Sequence, residues 1–577
     1  MPDEKKTAED NTVESALNAE QLAKEFREHS VAEFFKKNRQ MLGLSGKIKA
    51  LTTIIHEYVS NSLDACEEAK VFPELEVRIS ELGEEYYEVR ISDNGPGLAK
   101  ETVGKALGQL LAGTKFHRLI QQRGQQGIGA AGCTMLSLMT TGKPIQVVSG
   151  TAKGAFSCEM TIDPKANQPK IISMENLDKS FKGLAIKAKF KDIKYQKSEQ
   201  GPFEYLRRTA IANPHATITL IEPDGTKTTF KHTSKAIPAR PIATAPHPKG
   251  VTVDELLEMA KHTSSRKTAS FLKSEFDRMG DKALEDIAKK VIFDLNKDPA
   301  KLAWDEAEEI IKCFKTISFI APRTDILRPI GEEQIKTSLE TIVKPEFLSV
   351  VERKPTVYHG YAFQVEVAVA FGGDAGRTGA KNEDGLEQRK IEIMRFANRV
   401  PLLFDSGGCA LTKAVQSIDW KRYGIKDFEN MPMTIFVHFL SVHIPYTGAG
   451  KQAVADEDEV MEELRLAIMD TGRKIYRYMS FKRREEEKQK KRKLFMKYAT
   501  EVAIGIHELT GEKKDAVEKK LHDIVLHHLK LEEEKMANEE IPEEMSDEEL
   551  AKEAAREKKE KNKKKKKNRL DDEGGEE

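Results

Sequence analysis

The stretch that most limits how this chain can fold is IIHEYVSNSLDAC, residues 54–66. Glu57, Asn61 and Asp64 recur at i, i+4 and i+7, which at about 100° per residue places them on one stripe of an α-helix. Ile54, Ile55, Tyr58, Val59, Leu63 and Cys66 fall mostly on the other side, so the helix is predicted to bury one face. The opposite face then carries a carboxylate, an amide and a second carboxylate. A solvated outer face explains such a stripe. A site explains it too: an amide oxygen suits a hard cation such as Mg2+, and a carboxylate one turn away can polarise a water.

Two glycine-bearing stretches follow. DNGPG, residues 93–97, comes directly after the strand-like EVRIS. Its residues are those of a strand-ending turn. They also suit a ligand contact, because glycines let backbone approach a flat group and a carboxylate fixed there can accept from an exocyclic amine. RGQQGIGAAG, residues 123–132, opens an apolar helix-like run. Its N–H groups, together with a helix N-terminus, make an anion cradle. No GK[ST] closes it, so it is no Walker loop. Gly127, Gly129 and Gly132 satisfy GxGxxG, but QQRGQQ is no hydrophobic strand and IQVVSG ends without a ribose-binding acid, so the dinucleotide context fails.

The rest of the chain sets bounds. A length of 577 residues suggests roughly three or four domains. Lysine plus arginine and aspartate plus glutamate both number 94, and this neutrality neither favours nor excludes a polyanionic partner. No apolar run approaches the ~20 residues of a membrane span, and MPDEKKTAEDNTVES has no signal-peptide core. Cys66, Cys133, Cys158, Cys313 and Cys409 form no CxxC pair, which reads as reduced core residues of a cytoplasmic protein without a zinc site.

Helical periodicity runs from Ala32 to Lys70. Val77 and Ile79, then Tyr87, Val89 and Ile91, alternate with charged residues and predict a hairpin. IQVVSG, AFSCEMTI and LAIKAKF add strands, so helices and strands mix as in a two-layer α/β unit. IPARPIATAPHPKG separates it from a helical stretch. Strands return in YAFQVEVAVAFG, KIEIMRFANRVPLLF and MTIFVHFLSVHIPY. Leu464, Ile468, Ile475 and Met479 then form a thin seam on a long charged helix that packs against something else. The last residues hold a basic and then an acidic block, read as solvated, with nucleic-acid contact by Lys563 to Lys567 as the alternative.

In this order, the carboxylate–amide helix, the strand-end DNGPG and the glycine loop resemble the Bergerat ATP fold of the GHKL superfamily. EYVSNSLDACEEAKVFPELEV, SDNGPGL, AGTKFHRLIQQRGQQGIGAAG, FANRVPLLFDSG and IPYTGAGKQAVA more closely resemble the topoisomerase VI B family, the ATPase half of type IIB DNA topoisomerases. The likeness runs from about Ala32 to Met479. It implies an α+β multidomain chain: an N-terminal arm (1–30), a two-layer α/β sandwich ATPase domain (31–237) and a Pro-rich linker (238–250). A helix–two-turn–helix domain (251–315) follows. An α/β transducer with a left-handed or split βαβ-type crossover and a long C-terminal helix (316–485) comes next, then a charged helical extension and tail (486–577).

The resemblance also assigns roles. Glu57 is similar to the general base, Asn61 to the Mg2+ ligand, Asp93 to the adenine reader, and Gly95 and Gly97 to the lid hinge. Asp64 is grouped with the nucleotide-binding residues. Thr114 and Lys115 match the lid segment contacting phosphate, and Gly124, Gln125, Gln126, Gly127, Ile128, Gly129, Ala130 and Ala131 match the phosphate loop. Lys451 resembles the switch lysine that reaches the γ-phosphate from the transducer; the alternative is one more loop lysine. Gly183-Leu184 stands where many relatives have Gly-Thr, which leaves a hydroxyl contact there in doubt. Arg266 and Lys267, within HTSSRKTAS, suit DNA phosphates, although N-capping explains the neighbouring hydroxyls. Trp420, Lys421 and Arg422 resemble a DNA-contacting motif, with a partly buried Trp as the alternative. The implied protein binds ATP and Mg2+, dimerises through its ATPase domains and acts on double-stranded DNA. A partner, the topoisomerase VI A chain, carries the cleaving tyrosine in an A2B2 heterotetramer. A GHKL clamp or chaperone without a cleavage partner is the competing reading.

Overall fold

The computed structural model describes Lys37, Arg39 and residues 43–537, apart from 113–118, 125–126, 179–180, 382–386 and 449. The helix expected around Glu57 is α1, Lys47–Glu68. It buries Leu51, Ile54, Ile55, Val59 and Leu63 completely or nearly so, and each such side chain contributes about 1.5–3 kcal/mol. Lys70, in the left-handed region at φ 55°, and Pro73 end it.

Strands β1 (Glu74–Gly83) and β2 (Tyr86–Ser92) form the expected hairpin, with Val77 opposite Ile91 and Ile79 opposite Val89. Helices α2 (Lys100–Gly108) and α3 (Gly129–Thr141) follow. The strands β3 (Ile145–Thr151), β4 (Gly154–Asp163), β5 (Gln168–Leu177) and β6 (Gly183–Lys191) come next. Helix α4 (Pro202–Ala212), β7 (Thr217–Ile221) and β8 (Lys227–Phe230) complete the unit. The eight strands are ordered β5-β4-β3-β6-β2-β1-β7-β8; only β1 and β7 run parallel. The alternating faces of β1, β2 and β6 meet α1, α3 and α4 in one apolar core, a two-layer sandwich.

Helices α5 (Val253–His262), α6 (Thr268–Glu275), α7 (Asp281–Ala288) and α8 (Trp304–Thr316) share a separate core around Phe271, Phe276, Ile310 and Phe314. Thr252 opens α5 with a reciprocal capping box to Glu255.

The last unit begins with α9 (Glu332–Ile342) and carries strands β9 (Phe347–Glu352), β10 (Thr356–Tyr358) and β11 (Tyr361–Phe371). A small ribbon, β12 (Arg377–Lys381) and β13 (Glu387–Lys390), precedes β14 (Glu392–Ala397) and β15 (Val400–Pro401). Helix α10 (Ala410–Ser417) then leads to β16 (Met433–Ser441). Strands β14 and β16 pair in parallel, so α10 lies within a βαβ crossover. The sheet order is β10-β11-β16-β14-β15, with β9 also on β11. Strands β11 and β16 are buried along nearly their whole length because α9 covers one face and α10 and α11 the other.

Helix α11 spans Asp458–Thr510, about 80 Å at 1.5 Å per residue. Leu464, Ile468 and Ile475 of the expected seam are fully buried, and Met479 packs at the edge of that core. Gly511, at φ 76°, ends α11, and α12 (Lys514–Ala537) packs back on it, where Thr500 donates to Glu518 at 2.7 Å. That return was not expected from the sequence. Among the described residues no helix is long and apolar enough to cross a membrane. All five cysteines are free and buried. The N-terminal arm and Lys563 to Lys567 lie outside the described residues.

Candidate nucleotide site

A cavity of about 730 Å3 opens between α1, the start of α3 and the transducer. Its floor is the stripe of α1, with Glu57 and Asn61 on the wall together with Asp93, Gly97, Gly124, Gly127 to Ala131, and Lys451. Segments far apart in sequence therefore converge on one space.

Asp93 sits at the deep end and is 7% exposed. One carboxylate oxygen accepts from the N–H of Gly95 at 2.9 Å and of Leu184 at 3.2 Å, and the other accepts from the Ser62 hydroxyl at 2.7 Å. Burial pushes this carboxyl above its ordinary range, against the pull of those three donors. A carboxylate has about four acceptor positions, and these three donors take three of them. Leu184 serves through its backbone N–H, while its side chain lines the cavity as an apolar wall.

Gly97 takes φ +70°, and a Cβ there would stand 2.5 Å from the Gly150 carbonyl. Only glycine fits that turn. At the opposite end a Cβ on Gly129 would meet a Glu57 carboxylate oxygen at 1.8 Å. The phosphate loop thus lies directly against the Glu57 carboxylate, whose side chain is 34% exposed. Gly129 also begins α3, so its N–H end faces the cavity without a side-chain cap.

Lys451 arrives from the loop between β16 and α11. Its backbone holds φ +51° and its N–H closes a turn on the Gly448 carbonyl. Its neighbour Gln452 accepts from the Lys49 ammonium of α1 at 2.5 Å. Lys49 also lies 4.9 Å from the centre of the Phe404 ring. Leu403 and Phe404, from the transducer, are buried in the core of the ATPase unit.

Several lining residues gave no signal in the sequence. Ser62 sits on α1 beside the acid it serves. His56 lies 3.9 Å from Glu57 and edge-on to Tyr205 at 5.6 Å. Burial holds its pKa below the ordinary value, and the charge of Lys451 lowers it further against the pull of Glu57. The transducer residues Leu402 to Phe404 could not be placed without the tertiary contact that seats them.

Two expected site residues are elsewhere. Asp64 shares the stripe of Glu57 and Asn61 but lies beyond the cavity, covered by Arg123, whose guanidinium reaches it at 2.6 Å. It is part of a buried ion-pair cluster and does not line this cavity. Trp420 is 4% exposed, donates to the Val415 carbonyl at 3.0 Å and stacks on Phe428. It is core, while Lys421 and Arg422 beside it are exposed. Arg266 and Lys267 are exposed ahead of α6. The adjacent hydroxyls do not cap that helix: Thr263 donates to Glu275, and Ser265 meets Ser274. Thr114, Lys115, Gln125 and Gln126 lie outside the described residues.

Among the described residues no group of three or more His, Cys, Asp or Glu is arranged to hold a metal ion. The oxygen donors present, the Asn61 amide and the Glu57 carboxylate, fit a hard cation that takes most of its ligands from phosphate and water.

The family model for histidine kinase-, DNA gyrase B-, and HSP90-like ATPases matches residues 46–166, which carry Glu57, Asn61, Asp93 and the phosphate loop. The family model for the topoisomerase VI B subunit transducer matches residues 322–491, which carry Lys451. The type 2 DNA topoisomerase 6 B subunit of Pyrococcus horikoshii is 44% identical over 549 residues, covering 87% of this chain and 95% of its own. Its counterpart in Methanothermobacter thermautotrophicus is 44% identical over 505 residues at the same coverage. Among solved structures, the ATPase region of Saccharomyces cerevisiae topoisomerase II covers 80% of this chain and 100% of its own, at 12% identity and a TM-score of 0.39. The relatives decide between a topoisomerase component and a stand-alone clamp or chaperone: with its GHKL ATPase unit and its transducer, the chain belongs to the type 2 DNA topoisomerase 6 B family, the ATP-driven component of a type II DNA topoisomerase.

Proposed function

We propose that ATP lies in this cavity with its base at Asp93 and its γ-phosphate between the phosphate loop and Lys451, and that its hydrolysis moves the transducer. One observation carries the reading: Asp93, Gly129, Glu57 and Lys451 line a single space although they come from two different units. Asp93 accepts from the adenine amine. The N–H groups at the start of α3 receive phosphate oxygens. Glu57, pressed against Gly129, takes a proton from the attacking water and holds it on its carboxylate. Lys451 adds charge-assisted hydrogen bonding to the γ-phosphate, worth about 1.5–3 kcal/mol, and its loss after hydrolysis frees the loop between β16 and α11. Asn61 would hold Mg2+, which supplies charge neutralisation of the triphosphate. Leu98 and Leu184 exclude water from the base end.

In this reading two copies dimerise on ATP binding, and the transducers swing together. The topoisomerase VI A chain, carrying the cleaving tyrosine, docks on the far part of α11, where Tyr476, Phe481, Leu494 and Tyr498 are exposed on an otherwise charged helix. The A2B2 assembly passes one duplex through a double-strand break. Arg266, Lys267, Lys421 and Arg422 contact phosphate of the DNA. The buried free cysteines agree with a reducing cytoplasm. Glu57→Ala tests the core of this: ATP binding is retained, and the hydrolysis rate falls about 10²–10⁴-fold. Hydrolysis at the wild-type rate would remove Glu57 from the chemistry.

A further inference from the structure

The segment that leads into the phosphate loop is gripped by the transducer at two consecutive residues, Gln121 and Gln122, and a third, Arg123, is linked to it through Asn213. The Gln121 side chain donates to the Arg328 carbonyl at 3.0 Å and accepts from the Arg328 N–H at 2.7 Å. The Gln122 carbonyl accepts from the Asn398 amide at 3.1 Å. The Arg123 guanidinium, 5% exposed, pairs with Asp64 and Glu67 of α1 at 2.6 Å each, and also reaches the Asn213 side chain at the end of α4. Asn213 donates in turn to the Arg399 carbonyl at 3.2 Å. Gly124, the first residue of the phosphate loop, comes next in the chain.

The transducer side of this grip is a stiff device. Ala397 and Val400 pair across a two-residue turn, and its central residues Asn398 and Arg399 hold φ +47° and +66°. Two residues in the left-handed region make a type I′ hairpin turn, which Asn favours and Arg does not. The surroundings hold it in place. Asn398 exchanges hydrogen bonds with the backbone of Ser441 at 2.9 and 3.0 Å. The Arg399 N–H donates to His438, itself 2.6 Å from Glu366 in a fully buried pair. This same hairpin continues into Leu402 to Phe404, which wall the nucleotide cavity. One turn therefore touches both the base of the phosphate loop and the pocket wall.

Resting on the reading that ATP occupies the cavity, we infer that the Asn398–Arg399 turn is a second coupling contact, through which movement of the phosphate loop reaches the transducer independently of Lys451. Asn398 and Gln121 are its positioning residues. They touch no lining atom of the cavity, so they govern transmission and leave nucleotide binding alone. Coupling of this kind needs a contiguous element with two arrangements that both sites bias. The clasp supplies the contiguity: Gln122 bonds to the hairpin, Gln121 to its neighbouring strap, and Arg123 joins the hairpin through Asn213.

The test uses the full chain with spin labels at Lys153→Cys, in the β3–β4 turn, and Arg484→Cys, on α11; the native cysteines are buried and stay unlabelled. Distances are measured with and without a non-hydrolysable ATP analogue, alongside ATP hydrolysis and thermal unfolding. Asn398→Gly keeps the left-handed turn open to the backbone while deleting the grip on Gln122 together with the two bonds to Ser441. Gln121→Met deletes the grip on Arg328 without touching the turn. The expected result is that each variant hydrolyses ATP within about twofold of wild type, a distinction that separates transmission from binding, and shows a smaller nucleotide-dependent change in distance, the remainder being carried by Lys451. Either of two outcomes overturns the inference alone: variants whose distance responds as wild type does, or variants that lose nucleotide binding in proportion to their distance change. A wild-type distance that ignores the analogue overturns the ATP-driven swing, and the clasp with it.

Discussion

At the scale of single residues, the site is built from carboxylates whose surroundings differ. Asp93 is buried under three donors, whereas Glu57 is one-third exposed against a glycine loop. Asp93→Asn separates binding from folding. Its side-chain oxygen still accepts from Gly95 and Leu184, and the Ser62 hydroxyl turns to accept from the new amide. The cost of burying a charge disappears, so the melting temperature stays level or rises. The acceptor for the adenine amine is lost, and titration with a fluorescent ATP analogue should show affinity weakened about tenfold or more. A variant that binds normally would mean that the base lies elsewhere. Lys451→Met should lower ATP hydrolysis about 10- to 100-fold, the value of one charge-assisted hydrogen bond, with folding unchanged; an unaltered rate would make Lys451 an ordinary loop lysine.

At the scale of elements, α1 was legible because its 3.6-residue period separates Ile54, Ile55, Val59 and Leu63 from Glu57 and Asn61, and both sets went where that period sends them. The β1–β2 hairpin was legible for the same kind of reason, at period two. Asp64 shows where periodicity stops informing. It lies on the same stripe as Glu57, and only the arrival of Arg123 from the loop ahead of α3 makes it a buried ion-pair partner rather than part of the pocket. The resemblance pointed to WKRY as a whole, yet a short 3-10 turn sends Trp420 inward and leaves Lys421 and Arg422 outside. The long α11 announced itself through its seam, but its return as α12 depends on Gly511 in the left-handed region, a position the charge pattern hides. On the helical unit, reversing the charges of Arg266 and Lys267 should flatten the salt dependence of DNA binding by about two units of slope. An unchanged slope would take this unit off the DNA path.

At the scale of the whole molecule, the ATPase unit and the transducer are joined by buried ion pairs. Arg207 and Arg208 of α4 share Glu392 of β14 at 2.7 and 2.9 Å, and both also pair with Glu204. Burial would raise the Glu204 carboxyl, but Arg208 and Arg207 overcome it and bring it down to about 2. Glu67 is likewise held well below the carboxylate range by Arg123 and His215, against its own burial. A carboxyl depressed in the folded state contributes stability above its unfolded value and loses it as pH falls through the folded one. Denaturant unfolding should therefore give a constant free energy near neutrality and a steep fall from about pH 4.5 towards pH 2. A flat profile through that window would deny these pairs a stabilising role.

The most direct measurement is the structure of the chain with a non-hydrolysable ATP analogue and Mg2+. The base amine should lie at Asp93, the triphosphate along residues 124–131, and the γ-phosphate within hydrogen-bonding reach of Lys451 with Glu57 beside it. An empty cavity, or a triphosphate bound with Lys451 turned away, would contradict the account.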